Sequence, residues 1–238
     1  TVTQSSGSYG SVNTSGTGLI EVNSGIVWTK PSQLTLQASN GINIYAPITN
    51  AAGALKLEAG SGGIMQSVSG VITTDKLAIV SPANVSLNGA PNKVNTFSAD
   101  MQTPGPGTAN LSFSNDQSLI IGSAGGVNGI ITGENQGYVS VKTTTGDLTV
   151  AQPVDASSGA FPSATIKLEA AGTMAVNTAI TSSMDGDPTG VVALKAGSGG
   201  IAGTGVIKTG SLDLTSGGSV SLTGANVVGN NGVTGVLA

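Results

Sequence analysis

The chain has 238 residues, a formal net charge of −4, and neither His nor Cys. Charged residues are only 8% of it, yet its mean hydropathy is positive, which argues against disorder. The absence of Cys excludes disulfides and thiolate sites. All 8 basic residues are Lys, which does not suit a phosphate backbone or an anionic membrane surface. From this basic composition we expect no nucleic-acid partner. No apolar run approaches the ~20 residues that span a bilayer, so we also expect no membrane insertion.

Residues 26–48 show a pattern that returns along the whole chain. Apolar residues alternate at positions 34–36 and 42–44, and Gly41 lies between the two runs. Such alternation, bounded by Gly, Asn and Ser, predicts short strands joined by turns. The pattern recurs about every 20 to 27 residues. It therefore predicts strand pairs that begin near Leu34, Leu55, Leu77, Val139, Ile166, Val192 and Leu212.

The short period lies within a longer unit of sequence that occurs twice in the chain. Residues 59–64 recur unchanged at 196–201, and residues 34–49 align without gaps on residues 166–181. Self-similarity at a fixed period is typical of repeat architectures, in which each unit buries its apolar face against its neighbours. The chain is therefore predicted to consist of two tandem copies of one unit.

The first predicted unit comprises residues 1–127 and the second residues 128–238, which continue directly from the first. The second unit stops part-way through the repeat, so we expect the parent molecule to continue beyond Ala238. The chain starts at Thr1 without a signal-peptide pattern, which predicts a mature product or an excised fragment.

These periods predict an all-β fold, a parallel β-helix (β-solenoid) of about ten coils. Leu, Ile and Val would point inward, Ser, Thr, Asn and Lys outward, and Gly and Asn would lie at the corners. A β-sandwich or barrel is the alternative, although neither is expected to nest a short period inside a duplication. The pattern is weakest in residues 95–127. Residues 104–107 and 185–188, rich in Pro and Gly, are predicted loops that leave the rod.

Several segments resemble the rod repeats of filamentous-haemagglutinin-like adhesins, which are large exoproteins of bacterial two-partner secretion. They are residues 18–28, 34–38, 42–48, 127–133 and 146–150. The resemblance implies a right-handed β-helix, export through an outer-membrane partner transporter, a secreted or cell-surface location, and adhesive or fibre-forming roles. The family's secretion-signal domain is not recognisable here, so the resemblance implies a piece of the shaft. It implies no catalytic residues.

Catalytic chemistry finds little support in this composition. Without His, Cys or Arg, the chain lacks the residues that most catalytic triads and dyads need. Some parallel β-helices cleave polysaccharides with paired carboxylates, but the 12 acidic residues are scattered. Only Asp185 and Asp187 are close, in a predicted loop before Pro188. They could contribute to a Ca²⁺ site, or form a polar turn with no metal. We therefore expect no enzyme and no cofactor.

Trp28 is the single Trp and the one candidate for a surface ligand contact. An exposed Trp could stack on a sugar ring. Its alternation with Ile26 instead favours packing at a coil corner, and the second copy has only Ala at the corresponding place. Both interpretations remain open at the level of the sequence.

Two further patterns have structural interpretations. The Gly-rich residues 60–63 and 122–126 lack the Lys and Ser/Thr of a phosphate-binding loop, so we expect both to be coil corners. The motif Lys-Leu-Glu-Ala occurs at residues 56–59 and 167–170. Its charged residues are expected to form solvated pairs across neighbouring coils, each worth ~0.2–1 kcal/mol.

The sequence as a whole predicts a structural and adhesive rod segment of a large secreted bacterial surface protein. Its polar outer faces would contact glycans or proteins of a host or neighbouring cell. Open coil ends expose strand edges, so end-to-end self-association into filaments is expected. The alternative is a polysaccharide-binding or polysaccharide-degrading parallel β-helix. A third hypothesis, a Thr-array ice binder, has only the run at residues 143–145 in its favour.

Overall fold

The structure is a computed structural model that describes residues 2–5, 18–102, 109–132, 137–156, 164–183, 189–229 and 233–237. Both predicted loops, residues 104–107 and 185–188, lie outside these ranges. Every regular element within the described ranges is a β-strand. The local cause is the alternation of apolar and small polar residues, many of them β-branched, without any sustained helical period.

The strands are, in chain order, β1 (Val2–Ser5), β2 (Ile20–Val22), β3 (Ile26–Val27), β4 (Gln33–Ala38), β5 (Gly41–Ile44), β6 (Ile48–Ala59), β7 (Gly63–Gln66), β8 (Ile72–Val80), β9 (Val85–Met101), β10 (Leu111–Asn115), β11 (Leu119–Ile121), β12 (Ser123–Ala124), β13 (Val127–Asn128), β14 (Ile130–Thr132), β15 (Tyr138–Thr143), β16 (Leu148–Val150), β17 (Val154–Asp155), β18 (Thr165–Glu169), β19 (Met174–Val176), β20 (Ile180–Thr181), β21 (Val191–Ala196), β22 (Ile201–Gly203), β23 (Ile207–Thr209), β24 (Ser211–Ser216), β25 (Val220–Leu222), β26 (Val227–Val228) and β27 (Val233–Leu237).

The strands stack in columns, and neighbours within a column pair in parallel. Face 1, the column that runs the whole length, contains β2, β5, β7, the start of β9, β10, β15, β18, β21, β24 and β27. The stack is a parallel β-solenoid of about nine turns, so the predicted fold is confirmed with a coil count close to the predicted one. The right hand of the coil and the division at residues 127 and 128 stay predictions.

Two further columns complete the first turns. Face 2 contains β3 and the starts of β6 and β8, whereas face 3 contains β4 and the ends of β6 and β8. β1 is an exception to the parallel pairing, because it lies antiparallel on the outer edge of β4. That edge of face 3 is therefore already paired within the chain.

One apolar core runs through the stack. A single cluster of buried residues extends from Val22 to Leu212. Its largest members, Phe97 and Phe113, stack with ring centroids 4.3 Å apart. Both lie in residues 95–127, where the repeat pattern is weakest. The aromatic rings fill the interior where other turns use Leu and Ile, because cores are filled to a constant density rather than with constant residues.

The long strand of the coil changes face near the middle of the rod. Each early turn has its long strand on face 3, whereas later turns have it on face 1. The change occurs at β9, where residues 96–97 pair with β11 and residues 99–101 pair with β14. One long strand thus faces two short ones. Residues 34–49 and residues 166–181 consequently begin on different faces, although their sequences align.

A buried amide ladder holds this junction together. The side-chain amides of Gln66 and Asn92 exchange hydrogen bonds, with Gln66 Nε2 donating to Asn92 Oδ1 at 2.6 Å. One turn on, Asn115 Oδ1 accepts from the backbone N–H of Val94 at 2.9 Å, and its Nδ2 donates to the Val94 carbonyl oxygen at 2.9 Å. These side chains form hydrogen bonds with backbone groups that lose their partners in the neighbouring strand where two faces of the rod meet.

A hairpin made by β12 and β13 lies on the outside of the rod at the same junction. Its turn, residues 125–126, has positive φ at both glycines, 54° and 84°, as a two-residue hairpin turn requires. The two strands pair antiparallel in a small sheet of their own. The prediction of a coil corner at residues 122–126 was therefore wrong, since this segment leaves the coil and folds back over it.

The hairpin covers an outward-facing row of face 3. Ala124 and Val127 pack on Ala78, which is fully buried although its position in β8 points away from the core. The Ser98 hydroxyl donates to the Ala124 carbonyl oxygen at 3.2 Å. A Cβ at Gly125 would lie 3.4 Å from the Lys56 side chain. The hairpin therefore spans several turns along the axis.

Candidate functional site

The repeated Gly-rich corners are structural. Residues 60–63 connect β6 to β7, and the equivalent residues connect β21 to β22, as predicted. A side chain at Gly60 would collide with the carbonyl oxygen of Ser39, and one at Gly197 with that of Ala171. The space that an anion would need at these corners is occupied by the backbone of the neighbouring turn.

Trp28 lies at the corner between β3 and β4. Its ring is half-buried and packs against the core, and its Nε1 donates to the carbonyl oxygen of Ser32 at 3.1 Å. The backbone N–H of Ala54, in the next turn, donates to the same oxygen at 3.2 Å. The indole thus helps to fix a corner, and its role as a ligand contact stays a hypothesis.

The predicted metal candidates, Asp185 and Asp187, lie outside the described residues. Within the described ranges, no group of three or more Asp and Glu side chains is placed to hold a metal ion.

Two ion pairs between described residues lie on outward faces, and each joins residues of one strand. Lys56 Nζ is 2.6 Å from Glu58 Oε1 in β6, and Lys167 Nζ is 2.5 Å from Glu169 Oε1 in β18. The prediction of pairs across neighbouring coils was wrong for both. Residues two apart on a strand point to the same side, and a Lys side chain is long enough to reach the carboxylate along its own strand.

The second pair adjoins a cleft on face 1, named here the Lys142 cleft. The parallel register places Lys142, Glu169 and Lys195 side by side on β15, β18 and β21. The cleft has a volume of about 190 Å³ and is lined by Lys142, Thr143, Thr144, Glu169, Ala170, Ala171 and Lys195. Three of the chain's 8 Lys residues, those at 142, 167 and 195, therefore surround one carboxylate.

This surrounding charge changes the pKa values of the central pair. Burial raises the pKa of Glu169, but the hydrogen bond from Lys167 and the charges of Lys167, Lys195 and Lys142 outweigh it, so the net pKa is lowered. The hydrogen bond and charge of Glu169 raise the pKa of Lys167. Glu169 is thus held ionised, with Lys167 as its direct partner.

Sequence reasoning missed the Lys142 cleft, although its signal is present. Residues 142–144, 169–171 and 195–197 each begin with a charged residue followed by small ones, at intervals of 27 and 26 residues. Those intervals are one turn of the coil. A comparison of successive turns, rather than of the two long copies, would have aligned the three charges.

The described residues contain no helix that is long and apolar enough to cross a membrane. No family model matches the chain, and searches of curated proteins and of solved structures find no match either.

Proposed function

We propose that the chain is a structural and adhesive rod segment of a large secreted bacterial surface protein, which attaches cells or forms extracellular filaments. The observation that supports this best is the combination of one continuous core with changing outer faces. The inner rows are mainly apolar from β2 to β24, whereas aligned outer positions differ, as between Gln37 and Glu169. Such a scaffold keeps its shape while its surface is free to vary.

A β-solenoid suits a load-bearing shaft. Strands in neighbouring turns lie ~4.8 Å apart, so about nine turns give a rod on the order of 40 Å long. Each added turn lengthens the rod without a new fold, because a turn contacts only its neighbours. Backbone hydrogen bonds between turns are directed along the axis, and tension along the rod is shared among all the strands of a turn.

Secretion and partners belong to the same proposal. The resemblance of residues 18–28 and 34–38 to exoprotein rod repeats supports export through an outer-membrane partner transporter and a cell-surface location. Glycans or proteins of a host or neighbouring cell would bind the outer faces. End-to-end association would use strand edges of the terminal turns. At the first turn, β1 already occupies the edge of β4, so contacts there would involve another face.

A direct test coats microspheres with the folded chain and measures their retention under flow on surfaces that carry glycans or cell-surface proteins. We expect retention that is lost when the chain is denatured before coating. Retention no better than that of albumin-coated beads on every surface would contradict the adhesive role. A gene context with a longer reading frame and a neighbouring outer-membrane transporter would support the secretion route, and its absence would count against it.

The alternative, a polysaccharide-binding or polysaccharide-degrading β-helix, is favoured by one observation, the Lys142 cleft with its ionised Glu169. A reducing-sugar assay on acidic and neutral polysaccharides distinguishes the two functions. Release of reducing ends that depends on Glu169 would support the degrading enzyme and contradict a purely adhesive rod.

A further inference from the structure

The Lys142 cleft combines three chemical features that a single ligand could satisfy together. The first is a pair of cations. Lys142 and Lys195 flank Glu169 on either side, one turn away each, and both are exposed. Among the described residues, neither lies within 4.0 Å of a carboxylate, whereas Lys167 makes the direct ion pair with Glu169. The cleft therefore carries two cationic groups beyond the internally neutralised pair.

The second feature is an acceptor held ionised at the cleft wall. The side chain of Glu169 is only 16% exposed, and its pKa is lowered by Lys167 and by the two flanking Lys residues. A carboxylate has several lone-pair positions, so Glu169 can accept hydroxyl hydrogens while it keeps its bond from Lys167. Such an acceptor fits a ligand that carries hydroxyl groups.

The third feature is a small floor without free backbone donors. Ala170 and Ala171 form it, and their backbone N–H groups are already used, by the Lys195 carbonyl oxygen at 2.8 Å and by the Thr143 hydroxyl at 3.2 Å. Ala170 packs in the core, so the exposed Ala171 is the alanine that presents its methyl group to the cleft, and neither alanine offers a free backbone donor. At the rim, the Thr144 hydroxyl donates to Asp116 Oδ1 at 2.8 Å, which leaves its oxygen as an acceptor.

We propose that the Lys142 cleft binds one carboxylate-bearing sugar unit of an acidic polysaccharide. Lys142 and Lys195 form charge-assisted hydrogen bonds to the sugar carboxylate, Glu169 accepts from ring hydroxyls, and the exposed Ala171 methyl group contacts the C–H face of the ring. The cleft, with a volume of about 190 Å³, has room for one sugar ring. This inference rests on the proposed adhesive function and names its ligand class.

The test titrates the folded chain with a short oligogalacturonide and follows binding by calorimetry. We expect weak binding that declines as salt is added, because exposed charges are screened. The variants Lys142→Gln and Lys195→Gln should each weaken binding about fivefold. The matched control is Lys93→Gln, which removes the same charge from an exposed position outside face 1 and should leave the dissociation constant within about twofold of the unmodified chain.

Three outcomes would overturn the proposal. Equal losses in Lys93→Gln and Lys142→Gln would show nonspecific charge attraction. Unchanged binding of the carboxyl-reduced, neutral oligosaccharide would show that the carboxylate is not recognised. Binding confined to a sulfated oligosaccharide would assign a different anion. Each result leaves bead retention on other surfaces unaffected, so failure of this inference is distinguishable from failure of the adhesive function. Circular dichroism of the variants establishes that each is folded.

Discussion

Thr74 and Thr209 make the same two hydrogen bonds on different faces of the rod. The Thr74 hydroxyl donates to the carbonyl oxygen of Gly53, one turn back, at 2.6 Å and lies 3.3 Å from that of Lys76. The Thr209 hydroxyl makes the equivalent contacts to Gly190 at 3.0 Å and to the residue two positions on at 2.8 Å. Residues 70–79 align without gaps on residues 205–214, with Thr74 opposite Thr209. The duplicated sequence therefore preserves the chemistry of the corner even where the coil has changed its orientation.

Replacement of Thr209 by Val should destabilise the rod by about 1–3 kcal/mol, because the shape is kept while buried carbonyl groups lose their donor. Chemical denaturation measures this as a lower midpoint with an unchanged slope. The control, Thr215→Val, changes an exposed Thr and should shift the free energy of unfolding by less than about 0.5 kcal/mol. Equal effects of the two changes would show that the corner bonds contribute nothing.

Replacement of Asn115 by Leu should cost about 2–4 kcal/mol, because it removes a buried donor and a buried acceptor from the junction of the faces. Asn115 is fully buried and bonds both backbone groups of Val94. The matched change Asn95→Leu alters an exposed Asn whose partners are side chains. It is expected to be nearly neutral, and a cost as large as that of Asn115→Leu would contradict the role of the ladder.

Replacement of Ala78 by Asp should release the hairpin while the rod persists. The change places an unpaired carboxylate under Ala124 and Val127, and a buried charge without a partner is strongly unfavourable. Hydrogen exchange in residues 123–128 should rise and limited proteolysis should begin there. Ala193→Asp, at an outward position that is only partly buried, serves as the control. Protection of residues 123–128 that survives in Ala78→Asp would refute the packing role of Ala78.

The Lys167–Glu169 pair should make stability depend on pH in two separate windows. Because the folded-state pKa of Glu169 is lowered, its contribution is present above the unfolded value of about 4.3 and is lost as the pH falls through the folded pKa. Because the folded-state pKa of Lys167 is raised, its contribution is present below about 10.4 and is lost as the pH rises through the folded pKa.

Comparison of the chain with its Glu169→Gln variant isolates the acidic window. At neutral pH the variant should be less stable by a few tenths to about 1 kcal/mol, since the pair is partly solvated. The gap should close at pH values well below 4. Glu21→Gln, which changes an exposed carboxylate on β2, is the control. A gap that is constant from neutral to acidic pH would mean that the charge of Glu169 does not stabilise the fold.

The period-two pattern was sufficient to predict which residues form the core, because alternation alone decides which side chains point inward. Leu36, Leu57 and Leu168 are fully buried, in strands predicted to begin near Leu34, Leu55 and Ile166. The change of face could not be predicted in this way. A sequence alignment shows only the order of the strands along the chain. That order is the same whichever face of the rod the long strand occupies, so the alignment cannot reveal a change of face.

The hairpin and the Lys142 cleft were missed for other reasons. The Ser-Ala-Gly-Gly sequence at residues 123–126 has the composition of a corner, and only the burial of Ala78 on an outward face reveals a covering layer. The cleft depends on the pairing register across turns of unequal length, and a shift of one residue would turn Lys195 from the surface toward the core. Charges so far apart in sequence are recognised as neighbours only when successive turns are compared in register.

The change of face at β9 also determines the direction in which equivalent positions of the duplicated sequence project. Thr35 and Lys167 are equivalent in the duplicated sequence, but they project from face 3 and face 1 respectively. A ligand that recognised an epitope common to both copies would meet it on two sides of the shaft. Duplication in this molecule therefore sets equivalent positions on two sides of the shaft instead of repeating them along one side.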